Sequence, residues 1–292
     1  MKSVPRQIRE YLNEPYPFYY ENKKRLFSLL LVISFLSFIF SYFFEPFDVN
    51  ETEHKISSVW ILLIHAFTPF PIAYLYLTLV NRNKQDDVSW TLGKEVFHLS
   101  IILLIIGVVG FLIRDLIYTN PDNWSFRYFW EEIRNTFLIG FLLLVVVLPL
   151  NLERLIYKYN LSSKKLPSIN EYGTNSLLIP IQSPISDEGI QLKIEDFLFA
   201  KVEGNYTEIF TSSSNETNKT LIRITLKEIE EQLEPVSHQI YKTHRSYLVN
   251  LNAIESISGN AQGYRLVFKN CSTIVPVSRS RIVEFNSVYS HL

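Results

Sequence analysis

Apolar residues crowd the first half of this 292-residue chain, and polar and charged residues the second. A helix crosses roughly 30 Å of hydrocarbon with about 20 apolar residues, and four segments reach or approach that length. Leu26 to Phe44 reads LFSLLLVISFLSFIFSYFF and holds no charge. Ile56 to Val80 reads ISSVWILLIHAFTPFPIAYLYLTLV, and Val96 to Tyr118 is apolar until Arg114 and Asp115. The fourth has a core from Phe137 to Leu150 and reaches full length only if it begins near Ile133 or ends near Ile156. A soluble helix normally keeps one polar face, and the first segment has none. The pattern predicts a four-span helical membrane domain over 26–156. It follows a polar segment, 1–25, that lacks the apolar core of a secretory signal.

After the fourth span the pattern changes. Tyr157 to Asn175 is polar, with Ser162, Ser163, Lys164, Lys165, Pro167, Ser168, Asn170 and Gly173, and reads as a flexible linker. From 176 to 292 the runs are short and β-type. Strands are expected at 176–181, 190–194, 197–203, 206–211, 219–224, 247–250, 254–258, 264–268 and 273–277. A turn with Pro184, Asp187 and Gly189 separates the first two, and Gly204-Asn205 joins the third to the fourth. Thr225 and Glu228 have capping-box spacing, so a short helix starts there and stops before Pro235. A last helix, capped by Ser278, runs to about Tyr289. The fold class is therefore a transmembrane helical bundle of four spans followed by a mostly-β domain with two short helices.

Charge sets the orientation. Lys and Arg collect on the cytoplasmic side of short loops. Lys2, Arg6, Arg9, Lys23, Lys24 and Arg25 precede the first span, and Arg82, Lys84 and Lys94 follow the second. Arg154, Lys158, Lys164 and Lys165 follow the fourth, while the first loop is acidic, with Glu45, Asp48, Glu51 and Glu53 against Lys55. The third loop, with Arg127 between Arg114 and Arg134, is ambiguous. Both termini are thus expected in the cytoplasm of a bacterial cell, around a multi-pass inner-membrane domain. Trp60, Trp90, Trp124 and Trp130 sit near span ends, as an interfacial belt would have them. His65 lies inside the second span, before Pro69 and Pro71, which would kink or break that helix; it reads as a packing residue or as a sensing one. Arg114 and Asp115 read as markers of the interface. A single Cys271 leaves no internal disulfide framework.

Net charge is −1, and residues 176–292 hold 11 Lys or Arg against 13 Asp or Glu, so composition alone does not point to a polyanion. The motifs do. FLFAKVEGNYTEIFT at 197–211, TLKEIEEQLE, IYKTHRSYLVNLNAIESI at 240–257 and IVPVSRSRI at 274–282 follow one another in this order. Together they resemble the LytTR DNA-binding domain from about Ser176 to Tyr289, and His244-Arg-Ser-Tyr-Leu-Val-Asn250 is the most specific piece. The resemblance implies an elongated fold of short strands whose loops enter successive major grooves of double-stranded DNA. It places DNA contacts at Asn205 and Tyr206, at Arg245 and at Arg279, with Lys242, His244, Ser278 and Arg281 as neighbours within reach of phosphate. Tyr206 departs from members that carry histidine there. His244 reads equally as a structural residue, and Asn250 as a turn-bonding one. The chemistry agrees, since arginine donates two hydrogen bonds to guanine O6 and N7 and also pairs with phosphate.

There is no Walker or dinucleotide glycine pattern, no zinc spacing among the histidines and no nucleophile elbow. No enzyme, metal or cofactor is expected. The spans occupy the place where LytTR domains often have a phosphoacceptor domain. Besides DNA and lipid, a homodimer on repeated half-sites and a membrane sensor partner are the partners to look for. The leading reading is a membrane-anchored transcription regulator with the spans as sensor or tether. The alternatives are an interaction protein that holds a partner regulator, and a small transporter or enzyme with a regulatory tail.

Overall fold

A computed structural model describes residues 6–44, 51–83, 89–167, 178–185, 189–213, 216–234 and 239–292. The chain divides into two compact units, 1–152 and 153–292. The expectations for Lys2, Glu45, Asp48, Lys84 and Asp187, and for linker residues 168–175, lie outside the described residues.

The first unit is helical: α1 (Arg6–Leu12), α2 (Lys23–Phe44), α3 (Ser58–Phe67), α4 (Pro69–Asn83), α5 (Leu92–Ile117) and α6 (Phe126–Leu142). A π-helical stretch, Leu143–Val147, joins α6 to α7 (Leu148–Ser163), which passes into the second unit. Among the described residues, four helical runs, 23–44, 58–82, 92–117 and 126–163, are long and apolar enough to cross a membrane. The break expected at Pro69 and Pro71 amounts to one residue, Thr68, whose hydroxyl donates to the Ile64 carbonyl at 2.6 Å. Helix α2 leaves Leu29, Val32, Ile33, Phe35 and Leu36 exposed, an apolar surface that water would not tolerate on a stable monomer.

The polar N-terminal segment turns out to contain a buried element. The Tyr16 amide donates to the Trp90 carbonyl and the Leu92 amide to the Glu14 carbonyl, both at 2.9 Å. This strap buries Tyr16, Phe18 and Tyr20. Trp90 is accordingly a core residue and not part of an interfacial belt: it lies edge-on to Phe18 and donates from Nε1 to buried Glu95 at 2.8 Å. Tyr20 donates to the other carboxylate oxygen of Glu95. Trp60, Trp124 and Trp130 are exposed. Arg114 is more than an interface marker. Its Nη1 pairs with Glu132 at 2.8 Å and its guanidinium lies 3.7 Å from the centre of the Tyr128 ring. Asp115 accepts from Asn123 at 3.2 Å, and His65 stands 3.4 Å from the Tyr118 hydroxyl.

The second unit is built of short strands: β1 (Leu178–Gln182), β2 (Gly189–Lys193), β3 (Phe197–Glu203), β4 (Tyr206–Ser213), β5 (Glu216–Ile222), β6 (Ile240–His244), β7 (Tyr247–Asn250), β8 (Ile254–Asn260), β9 (Gly263–Phe268) and β10 (Val275–Ser278). They form sheets ordered β1-β2, β5-β4-β3-β7-β6 and β10-β9-β8, every pairing antiparallel. Strand β6, which runs into the HRS motif at His244, was not anticipated; among the described residues it pairs with β7 alone, and a register shift interrupts it. Helix α8 (Leu226–Leu233) packs Leu226, Ile229 and Leu233 into a core with Phe197, Ile209 and Leu248. Its capping box forms as the spacing predicted: the Glu228 amide donates to Thr225 Oγ1 at 3.3 Å and the Thr225 amide to Glu228 Oε2 at 2.8 Å. Thr225→Ala is expected to cost about 1 kcal/mol, read as a lower urea midpoint of fragment 153–292 with unchanged slope. Asn250 does bond a turn, donating to the Ile194 and Phe197 carbonyls at 3.1 Å and accepting from the Asn252 amide at 3.1 Å.

Residues 157–163, read as the start of a flexible linker, are helical, and Tyr159 and Ser163 are buried. Ser278 does not cap the last helix. It precedes a 3-10 turn, Arg279–Arg281, and its hydroxyl meets Ser280 Oγ at 3.2 Å, while α9 begins later, spanning Ile282–Ser290.

Candidate nucleic-acid interface

Register brings two of the three expected contact segments to one end of the five-stranded sheet. Glu203 pairs with Tyr206 across a two-residue turn, and Lys201 pairs with Tyr247 on the other side of β3. The β3–β4 turn and the β6–β7 turn therefore project from the same sheet end, and the Val202 amide donates to the Ser246 carbonyl at 3.0 Å. Gly204 takes φ of +61°, which a hairpin turn with glycine first asks for. Asn205 and Tyr206 are exposed at this turn, and Arg245 is exposed at the other. Buried His244 accepts the Ser246 amide on Nδ1 at 3.2 Å, so the ring shapes the turn that displays Arg245.

The third segment belongs to the three-stranded sheet. Ser278 pairs with Gly263, and Arg279 and Arg281, both half-buried, follow on the 3-10 turn. Arg281 reaches strand β6 by lying 6.0 Å over the Tyr241 ring, next in sequence to Lys242, and stands 3.7 Å from Glu284. Burial pushes the Tyr241 phenol up to about 12, with the Glu284 carboxylate adding to the shift, so the ring is neutral at any working pH. Tyr241 went unnoticed in the motif. The alternation of β6 carries the signal, since Tyr241 and Thr243 point inward and Lys242 is half-exposed between them.

Two of the acidic residues of 176–292 are paired within the sheet. On β3, β4 and β5, Lys201 pairs with Glu203 at 2.7 Å and with Glu208 at 3.7 Å, and Lys219 with Glu208 at 2.8 Å. The hydrogen bond to Glu203 raises the Lys201 ammonium and lowers the Glu203 carboxyl, so both are charged at neutral pH. The loops at 204–206, 245 and 279–281 supply three arginines and no acid.

Residues 187–290 match the family model of the LytTr DNA-binding domain. Among curated proteins, an uncharacterized response regulatory protein of Vibrio cholerae serotype O1 is 29% identical over 89 residues, which cover 30% of this chain. The chain spans about a third of the length of that relative, 33%. Among solved structures, the LytTr DNA-binding domain of a Bacillus cereus protein described as a methyl-accepting/DNA response regulator is 20% identical. That likeness covers 39% of this chain and 97% of the other, with a TM-score of 0.30. Over residues 187–290, then, the C-terminal unit matches a family of DNA-binding regulators and not of enzymes.

Proposed function

We propose that this chain is a membrane-anchored bacterial transcription regulator that binds promoter DNA through its C-terminal domain, with the four spans as sensor or tether. The observation that carries the reading is a LytTr match at 187–290 in the same chain as four runs long and apolar enough to cross a membrane. The exposed apolar face of α2 and the basic residues flanking the first and fourth runs support anchoring with both termini in the cytoplasm. The proposed DNA contacts are Asn205, Tyr206, Arg245 and Arg279, with Lys242, Ser278 and Arg281 on phosphate and His244 holding the Arg245 turn.

Reporter fusions after residue 50 and after residue 160 are expected in opposite compartments, the second in the cytoplasm. Position 160 outside the cytoplasm would separate the domain from DNA and end the regulator reading. Selection of duplexes from random sequence on the full chain, followed by footprinting, is expected to yield a protected site. No enriched sequence would favour a role in assembly with a partner regulator.

A further inference from the structure

The last turns of α7 end on the hairpin between β8 and β9. The Gly259 amide donates to Asn160 Oδ1 at 3.0 Å, and the Tyr264 hydroxyl to Ser162 Oγ at 2.6 Å. The Tyr159 and Tyr264 rings meet edge-on with centroids 6.4 Å apart. Glycine at 259 is what permits this approach, for a Cβ there would stand 2.2 Å from the Tyr159 carbonyl carbon and 2.3 Å from the Asn160 nitrogen. Those are backbone atoms, so no side-chain rotation relieves the clash. Residues 159–162 are thus packed onto the domain and do not act as a loose joint.

From this hairpin the contacts run on to the third DNA segment. Gly263, at φ +139°, pairs with Ser278, and a Cβ on it would meet the Val277 carbonyl oxygen at 2.4 Å and the Arg279 nitrogen at 3.6 Å. Tyr264 pairs with Val277 and lies edge-on to Phe285 of α9 at 5.9 Å. Phe285 meets Tyr241 at 6.0 Å, and Arg281 lies over Tyr241. A row of four rings, Tyr159, Tyr264, Phe285 and Tyr241, leads from α7 to Arg281, while the hairpin backbone leads to Arg279.

We propose that Asn160, Ser162, Gly259 and Tyr264 are positioning residues for the 279–281 turn, so that a movement of α7 changes how Arg279 is presented. This rests on the reading of that turn as a DNA contact. Packed interfaces of this kind hold discrete arrangements and do not deform continuously. Contiguity alone does not establish coupling, which a double-mutant cycle measures.

The test uses the full chain in lipid nanodiscs and two readouts. In Gly259→Ala, amide hydrogen exchange is expected to accelerate about tenfold at both 259–264 and 278–281. Against a duplex selected on the wild type, Gly259→Ala is expected to remove most of the affinity cost of Arg279→Ala and to leave that of Arg245→Ala intact. Faster exchange at the hairpin with 278–281 unchanged overturns the proposal, and so does an equal loss for both arginines. Should Gly259→Ala not fold, Asn160→Ala, which deletes one side-chain acceptor at the helix end, decides by the same two readouts. A wild type that binds no duplex would defeat the regulator reading, and the exchange measurement would still decide the coupling.

Discussion

Phe199→Ala is expected to lower the unfolding free energy of fragment 153–292 by about 3–5 kcal/mol, the range for removing a fully buried aromatic ring. Phe199 has no exposed surface. Its ring stacks on Phe210 at 4.3 Å and lies 5.1 Å from Phe268, which belongs to the three-stranded sheet. It therefore joins the two larger sheets, and no neighbour can collapse into its place without moving one sheet against the other. A domain of this size is stable by about 5–15 kcal/mol, so the loss takes a large part of the total. Urea titration followed by tyrosine fluorescence measures it, and a change below about 1 kcal/mol would mean that the seam between the sheets is not packed as described. An exposed position such as Val283, on the outer face of α9, should stay within about 0.5 kcal/mol when truncated.

Phe199 also illustrates what could be read without coordinates. The run FLFAKVE is a strand by composition, and Gly204-Asn205 ends it, so β3, β4 and their turn were legible from local signals alone. The helix at 226–233 was equally local, since Thr225 and Glu228 cap it within one turn. Partners distant in sequence were not legible. Nothing in the sequence near Glu95, just before the third span, foretells that Tyr20, 75 residues earlier, donates to it. Asn160 and Ser162 looked like linker residues, because their partners at Gly259 and Tyr264 lie about a hundred positions on. Polar composition marks a flexible segment only while those groups bond to water, and here they bond to a hairpin. The site divides in the same way. Arg245 and Arg279 were picked out by a motif, but only the register of β3 with β7 places the 205 and 245 turns at one sheet end. The row of rings that supports Arg281 comes from four separate elements and has no signature in any of them.

Arg245→Ala and Arg279→Ala carry the largest expected effect on function. Each is expected to weaken binding to a selected duplex by about 1–3 kcal/mol, roughly tenfold or more, and to relax the preference at one base position if the guanidinium bridges guanine O6 and N7. The two positions should relax different bases, because one side chain leaves the five-stranded sheet at the β6–β7 turn and the other leaves the three-stranded sheet after β10. Lys242→Ala and Arg281→Ala are expected to behave otherwise, weakening all sequences alike and lowering the salt slope by about one unit each, as the loss of one phosphate contact does. For Arg281 the expected loss is the smaller, since Glu284 at 3.7 Å already competes for its charge. The internal ion pairs of β3, β4 and β5 sharpen the comparison. With 11 basic residues against 13 acidic ones in 176–292, diffuse surface charge cannot supply the affinity, and it has to come from a few placed cations. Quantitative footprinting of each variant over a series of salt concentrations separates the two patterns. Affinity that survives both arginine substitutions would mean that the contacts lie elsewhere on the domain, and that these two loops serve a protein partner.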